Sequence, residues 1–460
     1  MLFCSYVFVL LFLPITVAGY FLLNKISRTA GRVWLFGASL YFYGYFNIYY
    51  LLLLAFSLVL NYSIGSLIYS YRKKFLLILG IVLNIFILGY FKYYDFFIDT
   101  VNTVFGTSWA LKHILLPLGI SFFTFQQISY LSDVYHDVLK ERYSPLTYGL
   151  FVTFFPQLVA GPIVLANEMM PQFADEKNLR VNFSNLSCGI FIFSLGLAKK
   201  MLLADAFAPF GDSLFVLENP CFWDSFVGLL ATHFQVYFDF SGYCDMAVGI
   251  GLMFNIHLPV NFISPYRAAN IKEFWDTWHI TLGRFLSQFI YFPLGGSKKG
   301  KFRTYFNLMM VFFVSGVWHG AYWMMVLWGV IHGFAVVVHR IWSKELKLKM
   351  PRPLGVVITF TFLFMILAFF KSSTWEQAKR AYLGFINFDP VRISEFSRKF
   401  EFDTFLLFAA GFIIVFFFKP ASSFRENFKP AVWTLAVPVV LIICCIYTFN
   451  KISPFIYFNF

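Results

Sequence analysis

Apolar residues run along this chain in long blocks, with neither the two-residue alternation of a half-buried strand nor the narrow stripe of a surface helix. A helix needs about 20 apolar residues to cross the hydrocarbon core. Blocks of that order occupy 2–23, 33–69, 75–96, 113–131, 145–165, 183–207 and 222–256. Others follow at 302–318, 321–342, 354–370, 405–418 and 431–449. The block at 33–69 is too long for one crossing and breaks near Gly44-Tyr45-Phe46-Asn47, so it counts as two. The pattern predicts an all-α polytopic membrane protein with roughly 11–13 membrane segments.

Composition agrees. Of 460 residues, 59% are hydrophobic and 13% charged, against roughly 25% charged in a soluble domain. Such a chain cannot cover a water-facing surface, and residues 1–460 read as a single membrane-embedded domain. The net charge of +13 does not indicate nucleic acid, because the cations sit in short loops between apolar blocks. Lys25, Arg28 and Arg32 follow the first block, and Arg72-Lys73-Lys74 follow two crossings later. That spacing puts both groups on the cytoplasmic side and the N-terminus outside, with the first block a retained helix. The loops 297–303 and 339–352 are basic as well. Six cysteines show neither disulfide nor metal spacing and read as apolar filler, and no metal is expected.

One stretch breaks the apolar pattern. Residues 259–300 hold Asn261, Arg267, Asn270, Lys272, Glu273, Asp276, His279, Arg284 and Gln288 between Trp275, Trp278 and Phe285. Polar groups at membrane depth persist only when buried in protein or facing water. The segment 270–279 therefore predicts a re-entrant helix lining a cavity, with an amphipathic helix flat on the membrane surface as the alternative.

Two histidines carry the candidate chemistry. His319 lies in Ser315-Gly-Val-Trp-His-Gly320, within an apolar block where an unpaired imidazole is unfavourable. Gly316 and Gly320 would let another backbone approach the ring. Neutral imidazole can serve as a general base near physiological pH; a structural histidine bonded to a neighbouring helix is the other reading. His279 is the second candidate. His332, thirteen residues beyond His319, would face the opposite way on a continuous helix and reads as structural. His113, His136, His233, His257 and His339 fall near block ends and read as interfacial. Asp239, Ser241 and Asp245 could line a polar cavity or lock helices together. On the residues alone, an acyltransferase and a flippase for lipid-linked sugars remain equally open.

Eight ordered blocks between about 116 and 340 resemble the membrane-bound O-acyltransferase family, in its bacterial branch that modifies alginate, peptidoglycan and teichoic acid. They are Pro117-Leu-Gly-Ile-Ser-Phe-Phe-Thr-Phe125, Phe155-Pro-Gln-Leu-Val-Ala-Gly-Pro162, Tyr237-Phe-Asp-Phe-Ser-Gly-Tyr243, Ser264-Pro-Tyr-Arg267, Phe274-Trp-Asp-Thr-Trp-His-Ile-Thr-Leu282, Tyr291-Phe-Pro-Leu-Gly-Gly296, Gly316-Val-Trp-His-Gly320 and Leu327-Trp-Gly-Val-Ile-His-Gly333. The resemblance implies a ring of helices with re-entrant segments and a tunnel that meets a buried histidine, here His319, with His279 as its companion. It implies acetyl-CoA as the cytoplasmic acyl donor, with no bound cofactor. Lys272, Trp278, Arg284, Lys298, Lys299 and Trp318 are the expected donor and tunnel residues. Many relatives carry an arginine pair where this chain has Asp276-Thr277, and an Arg-Asp-Tyr triplet where it has Ser287-Gln288-Phe289. Lys272, Arg284 or Lys298-Lys299 would have to take over any phosphate contacts those arginines make.

Within the branch the peptidoglycan-acetylating kind fits best, in the bacterial inner membrane. An alginate-like polysaccharide and D-alanyl transfer to teichoic acid are the alternatives. The resemblance further implies an extracytoplasmic partner of the SGNH esterase type. The longest polar connector, 371–403, is far below the roughly 100–200 residues of a polymer-binding domain, and it reads as interfacial helices.

Overall fold

In the computed structural model, which describes residues 1–426, 428–448 and 455–456, every extended element is a helix. Among these residues the only strand-like contact is an isolated bridge between Phe262 and Trp278. Among the described residues, six helices are long and apolar enough to cross a membrane: Val7–Ile26, Ile48–Tyr71, Lys74–Phe105, Phe183–Val216, Trp323–Glu345 and Arg352–Lys371. A seventh span is reached if the bent pair Pro390–Ser397 and Phe402–Phe417 is one. Other apolar blocks fold as helices that are shorter or more polar than these six. The block 145–165 breaks into Pro145–Thr153 and Phe155–Leu158, where Pro156 removes a helical donor. In 113–131 the helix starts only at Ile120, after Pro117 and a left-handed Gly119 at φ 72°. The connector 371–403 does carry helices, Trp375–Leu383 and Pro390–Lys399.

The chain divides into two compact units. The first comprises 1–197, 243–259 and 424–449. The expected break at residues 44–47 is present: Asn47 accepts from the Tyr49 amide at 2.8 Å and starts the helix Ile48–Tyr71. Burial here is largely aromatic, with Phe8, Phe12, Phe42 and Phe155 meeting ring to ring. The fully buried amides of Asn61 and Asn84 satisfy each other at 3.2 and 2.6 Å. Left alone in such surroundings, each would cost about 1–3 kcal/mol. Asp245 is buried in this unit.

The second unit comprises 198–242, 260–423 and 450–460 and contains both candidate histidines. Its buried charges are paired. The Lys200 ammonium lies 2.7 Å from carboxylates of both Asp205 and Asp239, and Asp239 also accepts the Ile456 amide at 2.8 Å.

Candidate active site

The segment 270–279 folds as a broken helix. Asn270 accepts from the Glu273 amide at 2.9 Å while the Glu273 carboxylate returns to the Ala269 amide at 2.9 Å, and this reciprocal cap starts the helix Ile271–Thr277. The helix stops at Trp278 and a second one, Ile280–Leu286, starts one residue on. His279 sits at the break in the left-handed region, φ 46° and ψ 49°. For a non-glycine residue this conformation is strained by on the order of 1–3 kcal/mol, so the surroundings must hold it. Asn261 does so. Its Oδ1 accepts from the Thr281 amide at 3.1 Å and the Thr281 hydroxyl at 2.8 Å, and it faces His279 Nδ1 at 3.3 Å. Facing an acceptor, Nδ1 carries the proton, which leaves the lone pair on Nε2. That nitrogen is buried with no hydrogen-bond partner among the described residues.

His319 ends the helix Lys301–His319. Its Nδ1 lies 2.7 Å from the Ser315 carbonyl oxygen. A carbonyl can only accept, so Nδ1 is the protonated nitrogen and Nε2 is the basic one. Past Gly320 the chain reverses into Trp323–Arg340, and the two helices cross at glycine on glycine, Gly316 against Gly329. The ring centroids of His279 and His319 are 6.4 Å apart, and both imidazoles are essentially fully buried.

Each histidine borders its own cavity. A cavity of about 510 Å³ has His279 and Ser315 in its buried part, while the more exposed part of its wall holds Lys272, Asp276, Arg284, Arg340 and Lys344. Four of these five are cations, and Asp276 is ion-paired to Lys272. His319 instead lines a chamber of about 40 Å³ together with His233, His332, Trp278 and Trp328. Trp275 borders both spaces. Of the described residues these cavities place together, all belong to the second unit.

A basic imidazole at each of two adjoining cavities is the equipment for moving a group between two substrates that arrive separately. The comparisons with known proteins say which group. Residues 40–374 match the membrane-bound O-acyltransferase family. The chain belongs to that family. This O-acyltransferase is 39% identical to the peptidoglycan O-acetyltransferase of Helicobacter pylori, with 100% of this chain and 98% of the relative covered. It is 37% identical to the probable alginate O-acetylase AlgI of Pseudomonas aeruginosa, covering 86% and 77%. It is 26% identical to the teichoic acid D-alanyltransferase of Streptococcus thermophilus, covering 58% and 72%.

Some of the residues expected at the site line these two cavities and others do not. Lys272 and Arg284 line the large cavity and Trp278 the small chamber, whereas Lys298, Lys299 and Trp318 line neither. Lys298 and Lys299 lie on the exposed turn between Tyr291 and Lys301. Trp318 packs against both histidines, 6.0 Å from His279 and 4.9 Å from His319. Asp239 and Ser241 line neither cavity; Asp239 is committed to Lys200, which favours the helix-locking role.

Two histidine readings are corrected. His332 is not turned away from His319, because the reversal at Gly320 puts it on a different helix and both rings face one chamber. His233 is not interfacial: it lies within the continuous helix Phe222–Met253, buried and stacked on Tyr266 at 4.2 Å. His339 stays half-buried near the end of the helix Trp323–Arg340, and it also lines the large cavity. Arg340 and Lys344 went unnoticed because they were read only as loop charges of the positive-inside kind.

Proposed function

We propose that this O-acyltransferase takes an acetyl group from acetyl-CoA on the cytoplasmic side and passes it outward for O-acetylation of a cell-envelope glycan, peptidoglycan by preference. The observation that carries the reading is the large cavity, which leads from a cationic rim to the buried His279. Its volume falls in the roughly 300–1,000 Å³ range of cofactor-sized pockets. Arg284, Arg340 and Lys344 suit the phosphates of coenzyme A, and the apolar depth suits its pantetheine arm. The near-complete mutual coverage with a peptidoglycan O-acetyltransferase supports the glycan preference over alginate.

In the reaction, the acceptor hydroxyl gives its proton to His319 Nε2 as its oxygen attacks the thioester carbonyl. The C–S bond breaks, the thiolate leaves through the large cavity, and the proton returns to the sulfur. The products are an ester and free coenzyme A. His279, on the donor side, orients the thioester. The membrane is the bacterial cytoplasmic one, with the N-terminus outside as the basic loops suggest. A chamber of about 40 Å³ beside His319 has no room for a polysaccharide. A separate extracytoplasmic transferase of the SGNH esterase type therefore carries the acetyl group to the polymer.

Reconstitution in liposomes tests this. Acetyl-CoA should release thiol when an acceptor is present, and a glycan oligomer should become acetylated only when the partner is added. No thiol release with partner and oligomer both present would overturn the donor and favour a flippase for polyprenol-linked sugars. Acetylation of the oligomer by this chain alone would overturn the relay.

A further inference from the structure

The small chamber beside His319 concentrates polar atoms that have no hydrogen-bond partner among the described residues. They are Nδ1 of His332, both ring nitrogens of His233, and Nε1 of Trp275. His332 and His233 are each 2% exposed, so bulk water does not satisfy them. Buried polar atoms are rarely left unpaired, and a cluster around one cavity needs its own explanation. The rest of the wall is aromatic and aliphatic, including Trp328 and Phe370, so the chamber combines a dry lining with a few convergent nitrogens. That combination marks a binding site for a small polar group.

Size narrows the guest. About 40 Å³ compares with the roughly 10–15 Å³ of cavity that a single water needs, so the chamber takes only a few atoms. A hydroxyl on a narrow stem fits, and a sugar ring does not. Direction narrows it further. His319 turns Nδ1 back to its own helix through Ser315, which sets the basic Nε2 on the opposite edge of the ring. His332 reaches the same chamber from the neighbouring helix, packed against Trp328 at 4.6 Å and Trp275 at 5.0 Å.

We propose that this chamber seats the hydroxyl of the acyl acceptor, and that His332 holds the hydroxyl oxygen while His319 takes its proton. The proposal rests on the acyl-transfer reading above. An N–H of His332 donates to an oxygen lone pair and fixes the hydroxyl with its hydrogen toward His319 Nε2; His233 and the Trp275 indole N–H complete the polar wall. The O–H bond then breaks toward His319 as the C–O bond forms, and His332 itself neither gains nor loses a proton.

Two variants of His332 separate this role from packing. His332→Phe keeps a flat ring among Trp275, Trp328, Phe312 and Phe362 but removes both nitrogens. His332→Gln keeps a donor and spoils the packing. Each is produced as the full chain and checked for thermal stability. Ester-linked acetate is then measured on the envelope of cells that depend on the variant, at matched protein level. In parallel, the purified protein is given acetyl-CoA and ethanol as a hydroxyl probe, and ethyl acetate is measured.

The expected result is that His332→Phe loses roughly ten-fold or more of ester formation, as for a lost hydrogen bond, with the Michaelis constant for acetyl-CoA unchanged. His332→Gln retains the larger share. Activity of His332→Phe equal to or above that of His332→Gln would overturn the proposal. If the glutamine variant outperforms phenylalanine in cells while the purified wild type makes no ester from acetyl-CoA, the donor assignment falls and the chamber assignment stands. If the wild type makes the ester and His332→Phe does so equally well, the reverse holds.

Discussion

Gly329 stands so close to Gly316 that a β-carbon on Gly329 would lie 2.8 Å from the Gly316 Cα and 2.4 Å from the Phe312 carbonyl oxygen. His319 follows Gly316 by three residues and His332 follows Gly329 by three. The crossing therefore fixes how the two imidazoles share a chamber. Gly329→Val should force the helices apart and cost about 1–3 kcal/mol by overpacking, read as a lower melting temperature in detergent together with lost activity. Gly37→Ala, where an added β-carbon meets nothing within 4 Å, should leave the melting temperature unchanged or raise it.

His319→Ala should reduce acyl transfer by about 10²–10⁴-fold, the usual worth of a general base, while the protein stays folded and inserted. Thiol release from acetyl-CoA together with envelope ester acetate checks it. Near wild-type acetate at normal expression would remove His319 from the reaction.

Asn261 holds His279 in a backbone conformation that the residue would not otherwise favour. Asn261→Asp preserves the acceptor and should retain most activity; Asn261→Leu should not. Turnover and melting temperature measured on both variants would show whether the loss comes from the site or from the fold. An equal loss of turnover in both would mean that the acceptor at Asn261 is not what matters.

Neutralising the cavity rim should act on the donor and not on the chemistry. Arg284→Gln, Arg340→Gln and Lys344→Gln should each raise the Michaelis constant for acetyl-CoA, by about two- to five-fold for a partly exposed charge, and more at low salt. Lys298→Gln and Lys299→Gln, which lie off the cavity, should change neither constant. Steady-state kinetics at two ionic strengths would test the set.

Lys200 is a further test, because it is buried between two carboxylates. Lys200→Met strands the fully buried Asp239 and should destabilise the protein by about 3–5 kcal/mol. Adding Asp239→Asn removes the stranded charge and should restore part of that loss, a coupling that melting temperatures of the two variants and their combination would reveal.

Much of this was legible in the sequence, and what was not has a common cause. Block lengths announced an all-helical membrane protein, the polar run 270–279 announced a helix unlike its apolar neighbours, and a histidine between glycines singled out His319. Each of those signals is local. His332 was misjudged because helical period assumes one continuous axis, and the extended Gly320 ends it. His233 looked terminal in a block that folds as one long buried helix. Which basic residues face a cavity depends on how neighbouring helices pack, so Lys298 and Arg340 looked alike in sequence. Helix bounds inside the blocks 113–131 and 145–165 were not legible, because apolar length does not reveal where proline or a left-handed glycine stops a helix.

Among the described residues, Trp275 is the one that lines both cavities. A membrane enzyme with an open bore from end to end would short-circuit the cell, leaking protons and metabolites down every gradient held across the bilayer. A partition about as thick as an indole avoids that. On the function proposed above, the nucleotide portion of the donor would stay on one side and the acceptor on the other, and only two carbons and an oxygen would change places. On that proposal the enzyme would work as an airlock, exporting an activated group in each cycle without opening a hole in the insulation.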